Sequence, residues 1–233
     1  MDAKPASEAA LQNKADDRMA SVTVLRETQL TRALHTAIRD KAASRRTFVQ
    51  QSDRLVHLLI EEALGLLPAE PCVVETPCGP YEGVRLPADA DLCVVSIMRA
   101  ADCMLGVARA MMPDVSVGKI LIQRDEETAQ PRLLYSKLPA DIARRPVLLC
   151  DPMLATGGSA VTAIGVLTER GVPPSRIIFV NVLCCAEGIA AVSSAYPEVR
   201  IVTSAIDPIL SAQKYIVPGL GDFGDRYFGT DGS

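Results

Sequence analysis

Short apolar runs alternate with stretches of helical periodicity along most of this chain. The runs at 92–97, 117–123, 147–150, 176–183 and 199–204 read as buried strands, with a further strand at 132–137 and a short extended segment at 21–26. Phe48, Leu55, Leu58, Leu59, Ala63 and Leu66 recur at a spacing that places them on one face of a long amphipathic helix over 45–67. Other helices are expected at 29–41, from the end of the 92–97 strand through 112, at 160–170 with Gly171 as its cap, and at 187–195. Pro77-Cys78-Gly79-Pro80 separates extended stretches at 72–76 and 81–86, which reads as a hairpin. Strand–helix alternation with continuous apolar strands predicts an α/β fold with a largely parallel central sheet flanked by helices. The hairpin and the two N-terminal helices are expected to form a cap or flank. Residues 21–233 are expected to be one domain, and 1–20 a flexible tail.

Composition narrows the partners. At 233 residues and 48% apolar, the chain can bury one sizeable core. A net charge of −4 gives no global attraction for nucleic acid or an anionic membrane, so neither is expected as a partner. No apolar run approaches the roughly twenty residues of a membrane helix. The first twenty residues lack the apolar stretch of a secretory signal, and their acids argue against a transit peptide. Seven cysteines include no Cys-x-x-Cys pair, and Cys93, Cys150 and Cys184 fall in strand-like runs. Reduced, buried thiols in a cytoplasmic protein are expected, not a disulfide frame or a zinc site.

The candidate chemistry centres on Asp151-Pro152-Met153-Leu154-Ala155-Thr156-Gly157-Gly158-Ser159. A buried strand ends on an acid, crosses a Gly-Gly turn flanked by hydroxyls, and enters a helix. Unpaired amides and the helix dipole favour an anion at such a point. Gly157 and Gly158 let a phosphate approach the backbone, Thr156 and Ser159 offer hydroxyls, and Asp151 sits at the ligand edge of the sheet. The stretch is neither a P-loop, lacking Gly-Lys-Ser/Thr, nor a Rossmann fingerprint, lacking Gly-x-Gly-x-x-Gly.

Three other segments draw attention. Arg99 follows the 92–97 strand and faces the same edge if the sheet is parallel; its planar fork suits a pyrophosphate. Arg124 closes the 117–123 strand at a charged turn. Residues 215–230 gather four of the nine Phe and Tyr residues, interleaved with glycines, Asp222, Asp225 and Arg226. That composition suits an ordered loop whose backbone approaches a flat ligand.

The loop resembles the phosphoribosyl pyrophosphate (PRPP) loop of type I phosphoribosyltransferases. Pro152 stands where most of them carry a second acid, as in the uracil-specific branch. Ser96-Ile97-Met98-Arg99-Ala100-Ala101 is similar to that branch's pyrophosphate motif, Ala101 replacing its usual glycine. Arg124-Asp125-Glu126 is similar to the start of its mobile loop, and 215–230 to its uracil-binding segment. The resemblance runs from about Val24 to Thr230.

The resemblance implies a uracil phosphoribosyltransferase fold and activity, transferring the phosphoribosyl group from PRPP to uracil to give UMP and pyrophosphate. N-terminal and C-terminal segments would form a hood. Arg99, Arg124, Asp151, Pro152, Met153, Leu154, Ala155, Thr156, Gly157, Gly158, Ser159 and Asp222 would bind PRPP. Met153, Ala155, Tyr215, Ile216, Gly221, Asp222 and Phe223 would bind uracil. Asp151, Arg124 and Asp222 would be catalytic. Mg²⁺ would arrive with PRPP, held mainly by the substrate and with no dedicated protein metal site. The resemblance also implies a homodimer or homotetramer and makes GTP a candidate activator. Two alternatives stay open: a PRPP-binding regulatory homologue with weak or no transferase activity, for which Ala101 is the reason, and a phosphoribosyltransferase for another base.

Overall fold

The structure, a computed structural model, describes residues 21–124 and 131–230. The tail expected at 1–20 and the turn after Arg124 lie outside the described residues. The central sheet starts at β1 (Val22–Val24) and continues through β10 (Arg200–Asp207), β9 (Ile177–Cys185), β7 (Val147–Cys150), β4 (Cys93–Met98) and β5 (Ser116–Arg124). β6 (Pro131–Lys137) forms the far edge, antiparallel to β5, while every other neighbouring pair is parallel. The two-residue β8 (Met153–Leu154) adds to β9 beside the end of β7.

Helices cover both faces, which is why the inner strands β4, β7 and β9 are buried without alternation. On one face lie α1 (Gln29–Arg39), α2 (Arg45–Gly65) and α3 (Asp102–Met111), packed over Leu148 and Cys150 of β7. On the other lie α4 (Gly158–Glu169) and α5 (Ala186–Ala195), packed over Val147 and Leu149 of the same strand. The two N-terminal helices therefore flank the sheet, with Leu34, Ile38, Phe48, Leu55 and Leu59 all buried in the main core. The hairpin stands apart. β2 (Glu70–Thr76) and β3 (Gly79–Arg85) pair along their whole length and leave Val73, Tyr81 and Val84 exposed.

Local signals explain where the helices begin and stop. The Thr28 hydroxyl accepts from the Thr31 amide, and the Thr31 hydroxyl accepts from the Thr28 amide, a reciprocal cap for α1. The helix ends at Arg39, two residues before the expected stop. There the Asp40 carboxylate accepts from the Ala42 amide at 2.8 Å, a turn that competes with further helix.

Connectivity places the ligand edge. The chain leaves β4 through α3 to β5 on one side, and leaves β7 through α4 to β9 on the other. β4 and β7 are neighbours, so a crevice opens beyond their C-terminal ends, the usual ligand position in such sheets. Over it lies the C-terminal segment, where β11 (Ile209–Leu210) pairs with β12 (Ile216–Val217). The stretch expected as a loop also contains a short helix, α6 (Phe223–Phe228). Asp222 caps it by accepting the Asp225 amide at 2.9 Å, and Gly229 closes it at φ 73°.

Candidate active site

A cleft of about 410 Å³ opens at this edge. Its walls bring together Asp151, Met153 and Ala155 from the β7 loop with Tyr215, Ile216, Gly221, Asp222 and Phe223 from the C-terminal segment. The two groups are remote in sequence, and the sheet edge unites them. Ala100, Gln213, Lys214 and Gly224 complete the lining, none of them singled out from sequence. Pro152, Leu154 and Thr156 through Ser159 do not line the cleft; the last four follow Ala155 directly into α4. The Phe223 ring is buried against Phe48, centroids 5.2 Å apart, and stacks 5.9 Å from Tyr227. Phe223 thus faces the core with its ring.

The phosphate-loop geometry follows from close packing. Gly157 is the N-cap of α4 at φ 82°, with no side chain capping the helix. A Cβ there would stand 2.7 Å from Ala191 Cβ and 3.0 Å from the Gly188 carbonyl, so only glycine fits. Gly158 has no positive φ, and a Cβ would meet only ordinary contacts, Pro131 at 3.4 Å and the Thr156 hydroxyl at 3.9 Å. Gly188, on α5, presses on the loop from behind: its own Cβ would fall 2.6 Å from the Leu154 carbonyl. The Pro152 carbonyl accepts amides of both Val182 and Leu183 at 3.0 Å, which pins the loop to β9. A helix N-terminus without a side-chain cap, held this firmly, has the dipole and rigid backbone that favour an anion.

Asp151 is one of two acids lining the cleft, with Asp222. Its Oδ1 accepts the Met153 amide at 3.3 Å, and one side opens on the cleft. Protein encloses the rest, and that burial pushes the carboxyl from its ordinary 3.8 up to about 7; the Met153 amide opposes the shift. Burial likewise pushes the neighbouring Cys150 thiol up to about 12, so it stays protonated and unreactive. Cys93 and Cys184 are pushed to about 12 for the same reason, and all seven cysteines are free.

Arg99 lies just past β4 but does not line the cleft. Its Nη2 sits 2.6 Å from Asp225 Oδ1, and its Nη1 donates to the Thr230 hydroxyl at 2.9 Å. Ala101, where the related motif carries glycine, is fully buried at φ −73°. The position does not need the left-handed conformation an alanine resists, and that reason for a disabled pyrophosphate pocket falls away. Arg124 is the last residue of β5, so its backbone reaches the same edge; its side chain lies outside the described residues. Among the described residues no group of three or more His, Cys, Asp or Glu could hold a metal. His57 is exposed, 3.9 Å from Glu61, and burial lowers the pKa of His35 on α1; neither lines the cleft.

A sequence model of the uracil phosphoribosyltransferase family matches residues 24–230. The chain belongs to this family. Uracil phosphoribosyltransferase of Dictyostelium discoideum is 49% identical over 91% of this chain and 97% of its own length. That of Saccharomyces cerevisiae is 51% identical over 89% and 96%. Among solved structures, the AQ2163 protein from Aquifex aeolicus superposes with a TM-score of 0.78 at 28% identity, covering 91% of this chain and all of the other. Adenine phosphoribosyltransferase of Trypanosoma brucei, 10% identical with a TM-score of 0.55, shares the fold. The alternatives of a regulatory homologue or another base are not favoured within the uracil phosphoribosyltransferase family.

Proposed function

We propose that this chain transfers the 5-phosphoribosyl group of PRPP to uracil, giving UMP and pyrophosphate in pyrimidine salvage. One observation carries the reading: a single cleft is walled by Asp151 and the start of the phosphate loop on one side and by the 215–224 segment on the other. The 5′-phosphate sits at the α4 N-terminus, the ribose at Asp151, and the base against Ile216, Gly221 and Phe223. Main-chain groups there are fixed, so a C=O accepts uracil N3–H and N–H groups donate to its carbonyl oxygens. Cytosine reverses the pattern at N3 and C4 and would leave buried groups unpaired, at about 1–3 kcal/mol each.

In the reaction the uracil N1–C1′ bond forms as the bond from C1′ to pyrophosphate breaks. The protein's part is to align the base and stabilise the leaving charge. Arg99 and Arg124 serve the pyrophosphate, Asp151 the ribose, and Asp222 takes the N1 proton directly or through water. Asp222 already holds one amide through Oδ1 as a helix cap, which fixes its orientation. Asp151 and Asp222 are the two carboxylates lining the cleft, a donor set that fits Mg²⁺ carried in by substrate phosphates. When bound, Mg²⁺ neutralises charge on the departing pyrophosphate. A homodimer or homotetramer is supported by the exposed apolar side chains of the hairpin, Val73, Tyr81 and Val84. GTP remains a candidate activator, and the free thiols support a cytoplasmic setting.

A base panel tests the reading. With PRPP and Mg²⁺, uracil should be used at least about 30-fold more efficiently than cytosine, as two unpaired groups at the low end of that range require. Equal or better use of adenine or orotate would replace uracil as the substrate.

A further inference from the structure

Gly219 lies within the base-binding segment, three residues after Ile216 and two before Gly221. Its φ is +59°, and a Cβ there would fall 2.0 Å from the Ile216 carbonyl oxygen. The turn is closed so tightly that only glycine fits. Both of its backbone groups are held by one ion pair that does not line the cleft. The Gly219 amide donates to Asp207 Oδ2 at 2.8 Å, and its carbonyl accepts from Arg39 Nη1 at 3.0 Å.

The pair itself is a two-bond fork: Arg39 Nη1 to Asp207 Oδ2 at 2.7 Å and Nη2 to Oδ1 at 2.8 Å. The Asp207 side chain is 7% exposed and that of Arg39 23%, so the fork is largely out of water and geometrically fixed. Asp207 ends β10, in register with Cys185 of β9, and β9 also carries the phosphate loop through Pro152. A second guanidinium repeats the grip one residue on. Arg226 donates to the Leu220 carbonyl at 2.7 Å and to the Ile38 and Asp40 carbonyls at the end of α1. It also lies 4.2 Å from the centroid of the Phe48 ring. Residues 219–220 are thereby tied to the end of α1 and, through Asp207, to the sheet that carries Asp151.

We propose that Arg39 and Asp207 are positioning residues for the base: their fork sets the distance between the Ile216–Gly221 main chain and the ribosyl centre. The inference rests on the reading that uracil and PRPP share this cleft. A shift of about 1 Å in a reacting group can cost on the order of 100-fold in rate, so a neighbour that only places the loop has a large kinetic effect. Lysine keeps the charge of Arg39 but cannot make the fork. Asn at 207 keeps the shape but leaves a buried guanidinium without its carboxylate.

The test compares wild type, Arg39→Lys, Asp207→Asn and the neutral pair Arg39→Gln with Asp207→Asn, by steady-state kinetics in both substrates and by amide hydrogen exchange. The single variants should raise KM for uracil about tenfold or more and narrow the preference over cytosine, with KM for PRPP within about twofold. Exchange should quicken in the 209–221 peptide and stay unchanged over 151–160. The neutral pair, which restores matched partners, should recover part of the uracil KM. Equal rises in both KM values, or unchanged uracil KM, would overturn the proposal. If wild type forms no UMP, the functional reading fails by itself, and exchange alone decides whether the fork holds the loop: unchanged exchange in 209–221 overturns it. Should Asp207→Asn fail to fold, the lysine variant and the neutral pair still separate these outcomes.

Discussion

Arg99 Nη2 lies 2.6 Å from Asp225 Oδ1, so the arginine expected at the pyrophosphate is joined to the short C-terminal helix. The Thr230 hydroxyl completes a triangle, 2.6 Å from the same carboxylate oxygen and 2.9 Å from Arg99 Nη1. Thr230 first, and Arg99 second, hold the Asp225 carboxyl below its usual range. The contribution of this contact is therefore present above the ordinary carboxylate range and lost as pH falls below it. Both side chains are substantially exposed, so the pair adds little to stability. Arg99→Met should leave the urea midpoint of unfolding essentially where it is in wild type. It should lower kcat/KM for PRPP on the order of 100-fold, the scale of one lost charge-stabilising donor. Unfolding curves beside kinetics separate a catalytic arginine from a fastener of α6.

Asp151 makes a pH prediction with a definite sign. Its folded-state carboxyl titrates at about 7 against an ordinary 3.8, so between those values the folded protein binds the extra proton. Stability from this group is full below about pH 4, falls as pH rises, and levels off above about pH 7. Asp151→Asn should remove that fall, leaving the variant more stable than wild type above pH 7 by roughly 2–4 kcal/mol. Urea unfolding of both proteins from pH 4 to 8 measures it, and parallel curves would contradict the assigned burial. If the carboxylate form binds the ribose, wild-type KM for PRPP should drop as pH passes about 7.

The two glycines of the phosphate loop are not equivalent. Gly157→Ala meets both a positive φ and a contact at 2.7 Å with Ala191. It should cost roughly 1–3 kcal/mol and raise KM for PRPP about tenfold or more. Gly158→Ala meets only ordinary contacts with Pro131 and Thr156 and should stay within about 1 kcal/mol of wild type. Thermal unfolding of the pair, with and without PRPP, checks the contrast.

Lys214, on the rim of the cleft, is the one non-glycine residue at positive φ among the described residues, at 67°. Its amide donates to the Ser211 carbonyl at 2.9 Å, closing the turn that delivers Tyr215. Lys214→Gly relieves strain and should raise stability by up to about 1 kcal/mol, whereas Lys214→Val should lower it by about 1–2 kcal/mol. Calorimetric unfolding distinguishes the two directions.

Much of the fold was legible because the inner strands β4, β7 and β9 are buried on both faces, and such runs stand out from helical repeats in any order. The phosphate loop was legible because its chemistry is local: Asp151, the glycines and the helix they open are contiguous. The α6 helix was not, since six residues rich in glycine and aromatics carry too little periodicity, and its cap, Asp222, reads in sequence as a chemical group alone. The Arg39–Asp207 fork was equally hidden. Its partners stand 168 positions apart, and each looks in sequence like an ordinary charge at the end of a regular element. Gly188 gave no signal either, because its value lies in the loop it packs against. Ala101 shows the reverse: a departure conspicuous in sequence proved compatible with the backbone at its position.

The proposed transfer takes place in the cleft between Asp151 and Asp222. To observe it, the purified full chain is incubated with labelled uracil, PRPP and Mg²⁺, and label is followed into nucleotide while pyrophosphate is quantified. The expected result is UMP and pyrophosphate formed in equal amounts, abolished by omitting PRPP and sharply reduced in Arg99→Met. PRPP consumed without UMP, or no UMP at saturating substrates with and without GTP, would contradict that assignment.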